Sequence, residues 1–264
     1  MAFARSAVPI LIALPLWACA TAPPPPKPVV AGYLGKARAE ALAAGVAAPP
    51  SAGSPADLAD AAAVRAAQAT QGSPRWLLAQ ADAELDPESA LALFDCAVGA
   101  QLQAAKPPAL TRLFERELVD AADAWTAAKA RFAFRPKPYL ALSLDPCTEL
   151  APDASKVSAY PAGHPAAAQV WARTLSELAP DRADAIQAKA REIGQSRLVC
   201  AQQYPSDVAA GETLGEALFQ TMRADPAFQA DLAAARIEVA SARAAGKANP
   251  ACTAERDALT QNYK

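Results

Sequence analysis

The chain has 264 residues, 53% of them apolar and 6% aromatic, and a formal net charge of −2. That length buries a full core in one large domain or two small ones, and the lack of a basic surplus excludes a nucleic-acid binder that works by neutralising phosphates. One histidine in the whole chain excludes most zinc sites and every mechanism that needs two imidazoles, while abundant alanine favours an all-α fold.

In chain order, Arg5 precedes an apolar run from Ala7 to Ala18. The run is shorter than the roughly 20 residues a spanning helix needs, so 1–18 reads as a secretory signal. Leu16-Trp17-Ala18-Cys19 resembles a bacterial lipobox, with Trp17 an unusual occupant. On that reading Cys19 is lipidated, and the product is a periplasmic lipoprotein held at the outer membrane through its N-terminal lipid alone. Ordinary cleavage nearby would instead release a soluble periplasmic protein. Residues 19–35 then form an anchor and a Pro-rich tether, stiff and extended.

Beyond the tether, helical periodicity dominates and no useful strand-like alternation occurs. Ser54-Pro55 opens a helix over 56–70. Further helices are predicted over 87–104 and 108–133, the second carrying a stripe of Leu110, Leu113, Phe114, Leu118, Ala121 and Trp125. Pro136 and Pro138 stop it, and 139–163 reads as irregular. Helices over 165–179, 181–202, 206–223, 225–245 and 251–262 follow, divided by Pro180, Pro205 and Pro226. Together they predict one all-α helical-bundle domain over 36–264. Cys96, Cys147, Cys200 and Cys252 are too widely spaced for a metal or redox motif, and in an oxidising compartment they suggest two disulfides, with three pairings open.

Three clusters carry chemistry. Lys129, Arg131, Arg135 and Lys137 put four cations within nine residues at a helix end. Ser158-Ala-Tyr-Pro-Ala-Gly163-His164-Pro165 precedes a helix whose N-terminus favours an anion. Gly194-Gln-Ser-Arg197 is followed by Gln203 and Asp207. Singly each is weak: a lone histidine before a helix is more often a cap, and a basic helix end usually complements the dipole. In this order they supply cations, backbone donors, an imidazole and a carboxylate, the parts of a phosphate site.

These motifs resemble the class A non-specific acid phosphatases of the type 2 phosphatidic acid phosphatase superfamily, whose signature is K-x6-RP, PSGH and SR-x5-H-x3-D. Phe94-Asp-Cys-Ala97, Tyr160-Pro-Ala-Gly-His164, Gly194-Gln-Ser-Arg197, Tyr204-Pro-Ser-Asp207 and Asp225-Pro-Ala-Phe-Gln229 have counterparts there, so the resemblance spans nearly all of the chain after the signal. It implies an all-α fold of that superfamily, phosphomonoester chemistry without metal or cofactor, and disulfides Cys147–Cys200 and Cys96–Cys252. It implies His164 as leaving-group acid, Asp207 as the group that orients the nucleophile, and Arg197, Lys137, Gly163, Arg135, Lys129 and Arg131 as the phosphate-binding residues. The number of subunits stays open, although relatives are often oligomeric.

The sequence departs from the signature at its centre. In register with Ser196-Arg197, the nucleophile position holds Gln203, whose carboxamide cannot form a phosphohistidine. Lys137 replaces an Arg and loses its bidentate fork. Ala130 stands at the signature Lys and Ala162 at the Ser. The resulting expectation is a pseudophosphatase of the cell envelope that still binds phosphate or a small phosphomonoester. The alternative is an active acid phosphatase that uses His164, or a water activated by Asp207.

Overall fold

The computed structural model describes residues 30–260, so the expected signal peptide and Cys19 lie outside the described residues. Every regular element described is helical: α1 Lys36–Leu42, α2 Pro55–Ala67, α3 Pro74–Ala81, α4 Pro87–Ala90, α5 Asp95–Val98, α6 Leu102–Ala105, α7 Pro108–Ala130, α8 Pro138–Ala141, α9 Gly163–Leu178, α10 Ala183–Val199, α11 Pro205–Met222, α12 Pro226–Ala244 and α13 Cys252–Thr260. The fold is therefore all-α.

Proline sets many of the boundaries. Seven described α-helices open on Pro at the first helical position, where its missing N–H costs nothing and its φ is already helical. Ser54, Ser73 and Asp225 cap α2, α3 and α12 by accepting first-turn amides. α3 carries the same Ser-Pro opening as α2 and was legible on that signal, but its eight residues are too short for periodicity to reveal. The predicted helix over 87–104 is interrupted. Gly99 takes a left-handed conformation with φ 78°, and the buried Asp95 side chain accepts the Leu102 amide at 2.7 Å, so a carboxylate ends the segment that periodicity would continue.

α9 is the central helix, packed on α7, α10, α11 and α12. Its Trp171 stacks on Phe114 of α7 at 4.9 Å between centroids and donates Nε1–H to the Phe114 carbonyl. Phe94, Phe219 and Phe228 complete the largest buried side chains around it. α11 approaches α9 backbone to backbone because of two glycines. A Cβ on Gly211 would stand 2.2 Å from the Ala162 carbonyl oxygen, and one on Gly215 2.4 Å from that of Ala166.

The globular body begins before residue 36, inside the segment expected to be tether. Tyr33 and Leu34 are buried in the main core, and their amides donate to the Asp120 carboxylate. Two disulfides are present, Cys96–Cys252 and Cys147–Cys200, the pairing implied by the family resemblance. The first fastens α13 to α5. The second ties the irregular segment after α8 to the C-terminal end of α10.

Candidate functional site

Four chain segments meet at one end of the bundle: the α7–α8 connection, the start of α9, the end of α10 and the start of α11. α9 starts there because Ala162 donates its amide to the Asp207 carbonyl at 3.0 Å, which docks the helix against α11. Ala162 offers no side-chain cap, so the first turn of α9 keeps its amides for an incoming acceptor. Lys129 supports this entry from below. Its Nζ donates to the carbonyls of Ser158 and Pro161 at 2.7 and 2.6 Å, and burial lowers its pKa to about 8.

A cleft of about 490 Å³ opens in front of α9. His164, Arg197, Lys137 and Gln202 line it on one side, and Thr148, Glu149 and Leu150 of the disulfide-tied segment line another. Gln80, Ala81, Ala83, Glu84, Ala151 and Ala154 complete the wall. Burial and the neighbouring Arg197 lower the Lys137 ammonium to about 8, and its Nζ donates to Gln202 Oε1 at 3.0 Å. Burial lowers Arg197 to about 10, against the pull of Asp82, so the guanidinium stays charged at neutral pH.

His164 bonds through Nε2 to the Ala83 carbonyl at 3.1 Å. A carbonyl only accepts, so this bond needs the hydrogen on Nε2. Burial, then Arg197, Lys137 and Lys129, hold the ring well below the ordinary histidine range and leave it neutral at pH 7.

Gln203 is 5% exposed and does not line the cleft. Its Oε1 accepts from Arg197 Nε at 2.8 Å. The carboxamide thus orients the guanidinium, leaving the two terminal nitrogens as its other donor groups. A second buried network braces the same helix: Lys189 Nζ donates to Asp82 Oδ1 at 2.8 Å and Ser196 Oγ to Asp82 Oδ2 at 2.6 Å.

Asp207 is fully buried and bonded to a guanidinium. Its Oδ1 accepts from Arg135 Nη1 at 2.6 Å and its Oδ2 from the Tyr204 amide at 2.8 Å. Arg135 also pairs with Asp57 at 3.0 Å and Asp60 at 2.8 Å, donates to Ser206 Oγ, and lies 4.2 Å from the Tyr204 ring centroid. Burial lifts the Asp207 carboxyl to about 6, and Arg135 offsets only part of that cost.

The sequence-predicted set therefore divides. Lys137, His164 and Arg197 share the cleft, with Gly163 adjoining at the start of α9. Arg131 and Arg135 leave the expected phosphate set. Arg131 turns its guanidinium to the Ala43 and Val46 carbonyls, and Arg135 is consumed by three carboxylates. Sequence reasoning missed Asp57 and Asp60. Two carboxylates three residues apart on the apolar face of α2 were the available signal. It also missed Ala83 and Gln202, which act through a backbone carbonyl and an ordinary amide and leave no pattern.

No family model matches the sequence. Among curated relatives, the non-specific acid phosphatase of Salmonella typhimurium is 33% identical over 172 residues, covering 65% of this chain and 69% of the relative. The acid phosphatase of Zymomonas mobilis is 34% identical over 196 residues, 74% of each chain. The non-specific acid phosphatase of Providencia stuartii is 30% identical over 193 residues, covering 73% of this chain and 78% of the relative. Among solved structures, a transmembrane PAP2-type phosphatidylglycerolphosphate phosphatase from Bacillus subtilis matches with a TM-score of 0.46 and 19% identity, over 70% of this chain and 90% of that one.

Proposed function

The chain belongs to the non-specific acid phosphatases, and from that premise we propose that it binds phosphate or a small phosphomonoester without turning it over efficiently. The observation that carries this is Gln203. It stands in register with the family's nucleophile, and its Oε1 is bonded to Arg197. In that family the barrier falls through covalent capture on histidine, and removing a catalytic nucleophile costs on the order of 10⁶ in rate, about 8 kcal/mol.

The remaining parts suit binding. Arg197 and Lys137 supply positive charge at the cleft, and the first amides of α9 supply donors. The two replacement mechanisms find little support. Asp207 is fully buried with both oxygens engaged, so it has no face for a water. His164 is neutral, with Nε2–H directed to Ala83, and offers no ready proton to a leaving group. We propose further that the protein faces the periplasm, anchored at Cys19, which intact-mass measurement of membrane-extracted protein tests directly.

Purified protein is assayed with an aryl phosphate from mildly acidic to neutral pH. The expected turnover is far below the range of ordinary enzymes, and about 1 s⁻¹ or more, lost in His164→Ala, would overturn the reading. Gln203→His alone restores little, because Asp207 is already held by Arg135 and the Tyr204 amide. Adding Lys137→Arg and Ala162→Ser restores more.

A further inference from the structure

The cleft is not uniformly cationic. Lys137 and Arg197 sit at one side, but two carboxylates, Glu84 and Glu149, also line it, and both residues are exposed at its rim. Their positions are constrained. Glu84 directly follows Ala83, whose carbonyl lies 3.1 Å from His164 Nε2, and its Oε1 accepts the Leu85 and Asp86 amides at 2.8 and 2.7 Å. Glu149 is two residues beyond Cys147, which is disulfide-bonded to Cys200 at the end of the helix that carries Arg197. With His164 neutral, the lining balances two cations against two anions.

Such a cleft attracts a phosphate dianion at Lys137 and Arg197 and presents it with repelling carboxylates at the exposed rim. It complements a ligand that carries both charges. The rest of the lining sets the kind of cation. Leu150 and four alanines provide an apolar wall, and no aromatic side chain is among the described residues that line it. A quaternary ammonium is recognised by aromatic faces, whereas a primary ammonium donates hydrogen bonds to carboxylates. We propose that the ligand is a phosphomonoester bearing a primary amine, with its phosphate on Lys137, Arg197 and the start of α9, its short carbon chain against the Leu150 wall, and its ammonium between Glu84 and Glu149. This rests on the phosphate-binding reading above.

The test is calorimetric titration of the purified protein at pH 7.5 and low salt with ethyl phosphate, phosphoethanolamine and phosphocholine. Phosphoethanolamine binds about fivefold tighter than ethyl phosphate, the size expected of ammonium–carboxylate contacts at a solvated rim. This is opposite in sign to the order a purely cationic pocket gives, because the zwitterion has the smaller net negative charge. Phosphocholine shows no such gain. In Glu84→Gln/Glu149→Gln the preference falls to less than twofold while ethyl phosphate binds more tightly, an outcome that general damage to the cleft does not produce. Equal affinity for all three esters, each lost in Arg197→Ala, overturns this inference and leaves the phosphate reading standing. Preference for phosphocholine overturns the assignment of a primary amine. No binding of any ester removes the phosphate reading and this proposal with it.

Discussion

Asp207 is a fully buried carboxyl at the cleft end of the bundle, bonded to Arg135 and the Tyr204 amide. Its carboxyl is lifted by burial from 3.8 to about 6. The folded chain therefore keeps this proton up to about pH 6, whereas the unfolded chain releases it near 3.8. Protons thus favour the fold: the contribution is complete below about pH 3.8 and lost as pH rises through about 6. The gap amounts to about 3 kcal/mol. For a chain of this size that is about 6–12 °C in Tm. The perturbation is Asp207→Asn, which abolishes the titration and keeps one acceptor oxygen, enough for Arg135 or the Tyr204 amide but not both, a loss that is the same at every pH. Urea unfolding of both proteins is followed at intervals from pH 4 to 7.5 without reductant. The wild type loses about 2 kcal/mol more than the variant across that range, since part of the full contribution is already gone at pH 4. Other carboxyls raised by burial, such as Glu117 and Asp120, contribute equally to both proteins and cancel in the difference. Parallel profiles for the two proteins would refute the reasoning, because they would mean that Arg135 keeps Asp207 ionised at every pH.

Glu117 is fully buried between α7 and α9, bonded to Thr174 Oγ1, and held well above the carboxylate range by burial and Asp120. Glu117→Gln, which mimics the protonated acid, changes stability at pH 7 by less than about 1 kcal/mol, and a loss above about 3 kcal/mol in chemical denaturation would argue for an ionised side chain. Gly211→Ala places a Cβ 2.2 Å from the Ala162 oxygen, which only backbone movement relieves. It lowers stability by about 1–3 kcal/mol and weakens phosphate binding by displacing the start of α9, which thermal unfolding and calorimetry measure separately. Removing Cys147–Cys200, which closes a 53-residue separation, costs about 4 kcal/mol, and removing Cys96–Cys252 across 156 residues about 5 kcal/mol. Only the first also reduces phosphate affinity, since Thr148–Leu150 lines the cleft; equal ligand affinity in both double Cys→Ser variants would contradict that division.

Much of the architecture is local and so was readable along the chain. The long helices α7, α9, α10, α11 and α12 follow from apolar spacing interrupted by proline, because a helix boundary depends on a few adjacent residues. The motif register was readable for the same reason: the distance from Arg197 to Gln203 and Asp207 is a count along one segment. The glutamine at position 203 and the single imidazole are properties of the sequence, which no folding alters. What each charged side chain does depends on contacts between distant parts of the chain, 29 to 88 residues apart for the basic cluster. The basic cluster Lys129–Lys137 looked like one phosphate-binding group. Folding sends Arg131 to carbonyls of the segment after α1, Arg135 to Asp57, Asp60 and Asp207, Lys129 to the loop before α9, and only Lys137 to the cleft. The physical reason is that a buried guanidinium goes to whichever acceptors the packing brings within about 3 Å, and the carboxylates that claim Arg135 come from helices remote in sequence. The rim carboxylates Glu84 and Glu149 are likewise unremarkable charges until α3 and a disulfide-tied loop close the same cleft around them.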